Sequence, residues 1–105
     1  EEVVLRDRRN LAQEGMVVII ATIDRNHGRL LKSPDIISRG FIHIKENQDI
    51  LEEIRKRLRG LISRLPNYQP LEPDYLKTLI RDQIGQFLYN KTRRRPMILP
   101  VVIEI

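Results

Sequence analysis

The run MVVIIATID, residues 16–24, constrains the fold of this chain more than any other stretch. It is apolar at nearly every position and rich in β-branched side chains, which is typical of a β-strand. A strand without polar alternation needs cover on both of its faces. We therefore predict that this strand lies at the centre of a sheet.

Two further segments predict the remaining strands. The turn residues DRNHG at 24–28 close a hairpin onto a return strand, and Pro34 interrupts that strand, which indicates a bend at a sheet edge. The segment MILPVVIEI at 97–105 predicts a last strand, where Pro100 requires an edge position or a bulge. We expect the strand order second–first–third, with the first and last strands parallel through a long crossover.

Two long segments carry apolar residues at helical spacing on one face, residues 47–65 and about 74–90. Asn47 can cap the first helix, and Pro66 ends it. A thinner apolar stripe predicts a short helix over residues 3–14. The predicted fold is therefore α+β: a small mixed three-stranded sheet with two long helices packed on one face, plus the short N-terminal helix.

Length and composition limit the possible classes of protein. The 105 residues make one small domain, and the net charge of +5 favours polyanion partners such as RNA. The absence of cysteine excludes disulfides and thiolate zinc sites and is compatible with the cytoplasm. No apolar run approaches the roughly 20 residues that span a membrane. The chain begins on Glu1, so we expect a piece of a longer polypeptide, with residues 1–15 leading in from a preceding domain.

The sequence offers no catalytic site. Its two histidines are His27, in the predicted turn, and His43, in the return strand, and no spacing typical of a zinc site joins them. A glycine-rich phosphate loop is also absent. We therefore predict no catalytic residue and no metal ligand in this chain.

A basic cluster precedes the last strand, in the stretch KTRRRPMILP at 91–100. Its members are Lys91, Arg93, Arg94 and Arg95. They could contact RNA phosphates, and four such contacts give a log–log salt slope of about −3 for a single strand. They could equally form the cation-rich end of a helix, which the helix dipole favours. Aromatic residues, on which single-strand binders stack bases, make up only 5% of the chain, and both interpretations stay open.

Three stretches together resemble the C-terminal domain of ribonuclease J: LRDRRNLAQEGMVVIIATID, SPDIISRGFIHIKE and LYNKTRRRPMILPVVIEI. Their order and spacing match from Leu5 to Ile105. The most specific parts are PDIISRGF at 34–41 and KTRRRPMILPV at 91–101. His43 stands where relatives often carry an aromatic residue.

The resemblance implies a parent enzyme and an accessory role for this chain. Ribonuclease J is a zinc-dependent ribonuclease of the β-CASP branch of the metallo-β-lactamase fold. It cuts RNA internally and from the 5′ end, in RNA decay and rRNA maturation in the cytoplasm. Its zinc ligands lie in the catalytic core, so this chain by itself is expected not to be an enzyme. The implied partners are that core, further copies in a dimer or tetramer, and RNA, with no membrane.

Two hypotheses follow for the chain itself. In the first, an all-apolar central strand exposes one face to another subunit or to the catalytic core, and we assign Val17, Ile19 and Ala21, or their alternates, to that assembly face. In the second, the basic cluster and Arg39 guide RNA without reading its sequence. We rank assembly first and RNA contact second.

Overall fold

The computed structural model describes residues 14–41, 48–65 and 72–105. Its elements in chain order are β1 (Met16–Ile23), β2 (Asp35–Arg39), α1 (Gln48–Ser63), α2 (Pro73–Thr92) and β3 (Met97–Glu104). The predicted helix over residues 3–14 falls almost entirely outside the described residues, as do the Asn47 cap and His43.

The three strands form one sheet in the order β2-β1-β3, which confirms the predicted order with β1 at the centre. Strand β1 runs antiparallel to β2, with Met16 opposite Arg39. It runs parallel to β3 over its whole length, from Met16 beside Met97 to Ile23 beside Glu104. The sheet is therefore mixed, and both proline-bearing segments lie at its edges, where a missing N–H is tolerated.

The turn between β1 and β2 is organised by Asp24. One carboxylate oxygen accepts the Asn26 N–H at 2.9 Å, and the other lies 2.7 Å from Nδ1 of His27. The bond to His27, and then that to Asn26, holds the pKa of Asp24 below its usual range. The Asp24 carbonyl also accepts the N–H of Gly28, whose φ of +65° suits glycine. The loop therefore has a defined shape.

Both helices cover the same side of the sheet, as predicted. Alternate residues of β1 point into this side and have no exposed surface: Val17, Ile19, Ala21 and Ile23. The helices contribute the rest of the core through apolar side chains at helical spacing, among them Ile54, Leu58, Leu76, Ile80 and Ile84. Between the helices, the Arg57 guanidinium lies 4.5 Å from the ring centroid of Phe87. The α+β class predicted from the sequence is confirmed.

Neither helix in the described part of the chain has the length and apolar composition that a membrane crossing requires.

Candidate functional site

The sheet has an open face, opposite the helices, that is mainly apolar, with Asp35 and Arg39 at the two ends of β2. Strand register places on it the even-numbered residues of β1 and the residues that pair with them. Ile37, Leu99 and Ile103 keep 42%, 40% and 43% of their surface exposed. The remaining apolar members of the open face are half-buried: Met16, Val18, Ile20, Met97 and Val101. The described part of the chain therefore carries an apolar surface on the sheet that α1 and α2 leave uncovered.

The residues assigned to the assembly face from the sequence lie on the other side. Val17, Ile19 and Ala21 are completely buried beneath the helices, so they cannot meet a partner. Their alternates, Val18 and Ile20, lie on the open face instead. The sequence of an all-apolar strand does not reveal whether its odd- or even-numbered side chains face the helices, because both sets are equally apolar. A shift of one residue in strand register would exchange the two faces. This corrects the choice of residues, and assembly itself stays a prediction.

The outer edge of β3 is protected by Pro100. The N–H groups of Met97 and Ile105 donate to carbonyls of Gly15 and Ile23, at 2.9 and 3.0 Å, so odd-numbered residues of β3 bond to β1. At even-numbered residues such as Pro100, the backbone nitrogen faces away from β1, towards the free edge. Pro100 costs the sheet no hydrogen bond and removes a donor from the middle of the free edge.

The basic cluster lies where α2 ends and β3 begins. The helix ends at Thr92, and Arg93 adopts the left-handed conformation with φ of 59° while its N–H donates to the Tyr89 carbonyl at 2.8 Å. The Thr92 hydroxyl donates to the Leu88 carbonyl and accepts the Arg94 N–H. Only Lys91 lies within the last helical turn. The cluster is therefore fixed by a helix cap, as the helix-end interpretation expects.

Three arginines of the cluster make side-chain contacts. Arg95 and Arg93 lie over the Tyr89 ring, with guanidinium carbons 4.1 and 5.4 Å from its centroid. Arg94 lies 3.9 Å from the Glu14 carboxylate, the outer limit for an ion pair. The two guanidinium groups already lie against the Tyr89 ring, so a nucleobase would have to displace one of them in order to stack there.

The fold brings Arg39 to the same end of the sheet as the basic cluster. Arg39 pairs with Met16 on one side, and Met97, two residues after the cluster, pairs with Met16 on the other. Because neighbouring strands lie about 4.8 Å apart, the backbones of β2 and β3 are only about 10 Å apart there. Residues separated by more than 50 positions in sequence therefore contribute to one positively charged end.

A metal centre does not form among these residues. Within the described ranges, no three His, Cys, Asp or Glu side chains converge so as to hold a metal ion. The described residues therefore do not provide the ligand set that the zinc implied for the parent would need.

Comparison with known proteins identifies the family. The model of the ribonuclease J C-terminal domain matches residues 3–105. Ribonuclease J2 of Bacillus subtilis is 36% identical over 103 residues, 98% of this chain, and ribonuclease J 2 of Staphylococcus aureus is 38% identical over the same length. The chain belongs to the ribonuclease J C-terminal domain family. The resemblance expected from the sequence is confirmed.

This ribonuclease J C-terminal domain spans only a small part of those relatives, 19% of the B. subtilis protein and 18% of the S. aureus protein. The ribonucleolytic activity that their names state therefore concerns proteins about five times longer.

Sequence reasoning missed two features of the ribonuclease J C-terminal domain. The first is the contribution of Ile37, Leu99 and Ile103 to the open face. The unbroken apolar pattern of MILPVVI could have indicated it, because one parity must face away from the helices. The second is a pocket between the β1–β2 loop and α1, whose lining residues are too far apart in sequence to form a motif.

Proposed function

We propose that this chain is the non-catalytic accessory domain of a ribonuclease J and that it supports self-association through its open sheet face. The parent would be a zinc-dependent endo- and 5′–3′ exoribonuclease of RNA decay and rRNA maturation, with its zinc in the catalytic core. The observation that carries the assembly role is the aliphatic open face. The occupant we propose is a second copy of the chain.

The chemistry of the open face suits a protein partner. Its exposed apolar side chains are the branched aliphatics Ile37, Leu99 and Ile103. Single-stranded nucleic acids are usually held by aromatic rings that stack on bases, and this face presents none. A second copy related by a two-fold axis presents the same methyl groups, so the two apolar faces are complementary by symmetry.

The sheet edges are less suited to pairing than the face. Pro100 interrupts the outer edge of β3, and β2 has only five residues, with Lys32 and Asp35 forming an ion pair at its start. Short strands, prolines and charges are the usual protection against edge pairing. Association through the face is therefore favoured over extension of the sheet.

The size of the face sets the strength of the expected contact. Strands of eight, five and eight residues cover roughly 330 Å² of flat surface. Stable interfaces bury about 800 Å² on each partner. We therefore expect weak self-association of the isolated chain, which the much longer parent would strengthen with further contacts.

Sedimentation velocity from micromolar to millimolar concentration tests this proposal. We expect a reversible dimer whose population falls when Leu99→Lys and Ile103→Lys are introduced, with an association constant at least about tenfold lower. Tyr75→Lys is the matched control for the single variant Leu99→Lys, because it places one lysine at an exposed apolar side chain (58% exposed) on α2, away from the open face. Assembly through the face would be contradicted if the unsubstituted 105-residue chain stayed strictly monomeric at millimolar concentration. An equal effect of Tyr75→Lys would contradict it too.

A second candidate function is guidance of RNA by the positively charged end of the sheet. The proximity of Arg39 to the basic cluster favours it, since both lie at the same end of β1. The contacts would be to phosphates and independent of sequence, because guanidinium groups occupy the Tyr89 ring.

Fluorescence anisotropy with a 5′-labelled single-stranded RNA at low salt tests RNA guidance. Replacing Arg93, Arg94 and Arg95 with alanine is expected to weaken binding and to reduce the log–log salt slope by about 2. A control variant with alanine at the exposed cations Lys56, Arg64 and Arg81 has the same change in charge. If both variants lost the same RNA affinity, the cluster would have no specific role in RNA binding and would only form the end of α2.

A further inference from the structure

A pocket of about 310 Å³ opens between the β1–β2 loop and the end of α1. The described residues that line it are Arg29, Leu30, Arg59, Ile62 and Ser63. Leu30 forms an isolated bridge with Ile23, a residue of the helix-covered side. The pocket therefore lies on the side of the sheet opposite the open face and is independent of the proposed self-association.

Hydrogen bonds hold both walls of the pocket. On the loop side, the Asp24 N–H donates to the Arg29 carbonyl at 2.8 Å, and the Leu31 N–H donates to the Thr22 carbonyl at 2.9 Å. On the helix side, Ser63 lies in the last turn of α1, and its hydroxyl donates to the Gly60 carbonyl at 2.9 Å. A pocket between two fixed segments loses little conformational entropy when it is filled.

The two cations of the pocket, Arg29 and Arg59, are exposed, whereas Leu30 is half-buried and Ile62 is buried. The ion pairs within the described ranges engage His27, Lys32, Arg55, Arg57 and Arg94, and neither Arg29 nor Arg59 is among them. Guanidinium groups bind carboxylates through two parallel hydrogen bonds. Leu30 and Ile62 between them offer methyl groups and no hydrogen-bonding side chain. The pocket thus combines a positive rim with an apolar base.

We propose that this pocket binds an acidic peptide segment of a partner protein. An aliphatic side chain of the segment would pack on Leu30 and Ile62, and neighbouring carboxylates would pair with Arg29 and Arg59. The volume lies at the small end for ligand pockets, which fits one side chain and its flanking backbone. RNA fits less well, because none of the described lining residues carries an aromatic ring on which a base could stack.

Fluorescence anisotropy of the whole 105-residue chain with a fluorescein-labelled ten-residue peptide tests the proposal. The peptide carries two leucines among aspartates and glutamates, and a second peptide replaces the leucines with serine. We expect the Arg29→Gln/Arg59→Gln variant to bind the leucine peptide about tenfold more weakly or worse. The serine peptide is expected to bind the unsubstituted chain about tenfold more weakly than the leucine peptide does. The Lys56→Gln/Arg81→Gln variant, with the same change in charge at exposed sites outside the pocket, should bind within about twofold of the parent.

Three results would overturn the proposal. Equal weakening in the two double variants would show attraction by net charge alone. Tighter binding of a ten-residue oligouridine with the same dependence on Arg29 and Arg59 would make the ligand a polynucleotide. If the peptide changed the amide chemical shifts mainly of residues other than 29–31 and 59–63 in NMR spectra, it would bind elsewhere. Circular dichroism verifies that each variant is folded, and the Leu99→Lys/Ile103→Lys background separates this site from self-association.

Discussion

At the scale of single residues, the start of β1 depends on an unusually close approach of two backbone segments. Gly15 has φ of +86°, and its carbonyl accepts the Met97 N–H. A β-carbon on Gly15 would lie 2.4 Å from the carbonyl carbon of Gly40. Backbone atoms cannot yield as a flexible side chain can, so glycine is required there for both conformation and space.

We expect Gly15→Ala to lower the free energy of unfolding by about 3 kcal/mol or more, because backbone strain adds to the clash. Gly28→Ala is the matched control, since Gly28 also has positive φ but has no atom within 4 Å of an added β-carbon. It should cost about 1 kcal/mol, the conformational part alone. Urea unfolding followed by circular dichroism measures both, and similar losses would refute the close approach.

At the scale of elements, each strand and helix follows from its own sequence pattern. The alternation of charged and apolar residues at helical spacing predicted α1 and α2, and the structure confirms them with small changes at their ends. Pro73 at the first position of α2 and the prolines at both sheet edges lie where a missing N–H costs nothing. These features are local, which is why the sequence alone revealed them.

The glycines inside the helices have no such requirement. Added β-carbons on Gly60 and Gly85 would meet their nearest neighbours at 3.5 and 3.9 Å, ordinary contact distances. We expect Gly60→Ala and Gly85→Ala each to raise the free energy of unfolding by about 0.5–1 kcal/mol, because alanine loses less backbone entropy in a helix. Thermal unfolding measures the gain. A loss of stability at Gly85 would mean that α2 lies closer to Ile98 than the structure has it.

At the scale of the whole molecule, a leucine on the helix-covered side of the sheet and one on the open face have different roles. Leu58 is completely buried between α1 and the sheet, whereas Leu99 is 40% exposed on the open face. The first therefore contributes to folding, and the second is available to a partner.

The same substitution at these two leucines should separate folding from assembly. We expect Leu58→Ala to lower the free energy of unfolding by about 3 kcal/mol, and Leu99→Ala by less than about 1 kcal/mol. Denaturant unfolding at low micromolar concentration, where weak association is absent, makes this comparison. A large loss for Leu99→Ala under those conditions would mean that the open face is part of the monomer's core.

The amino-acid sequence by itself determined the two long helices, the three strands, their order in the sheet and the family, because periodicity, proline positions and specific motifs can be recognised in the sequence. Only the tertiary structure decided which alternate residues of β1 are buried, since Val17 and Val18 are equally apolar and differ only in the side that the helices cover. It also decided that Arg39 lies near the basic cluster and that Arg29 and Arg59 flank one pocket. Such proximity depends on strand register and helix packing between residues distant in the chain, which the predicted strand order alone does not fix.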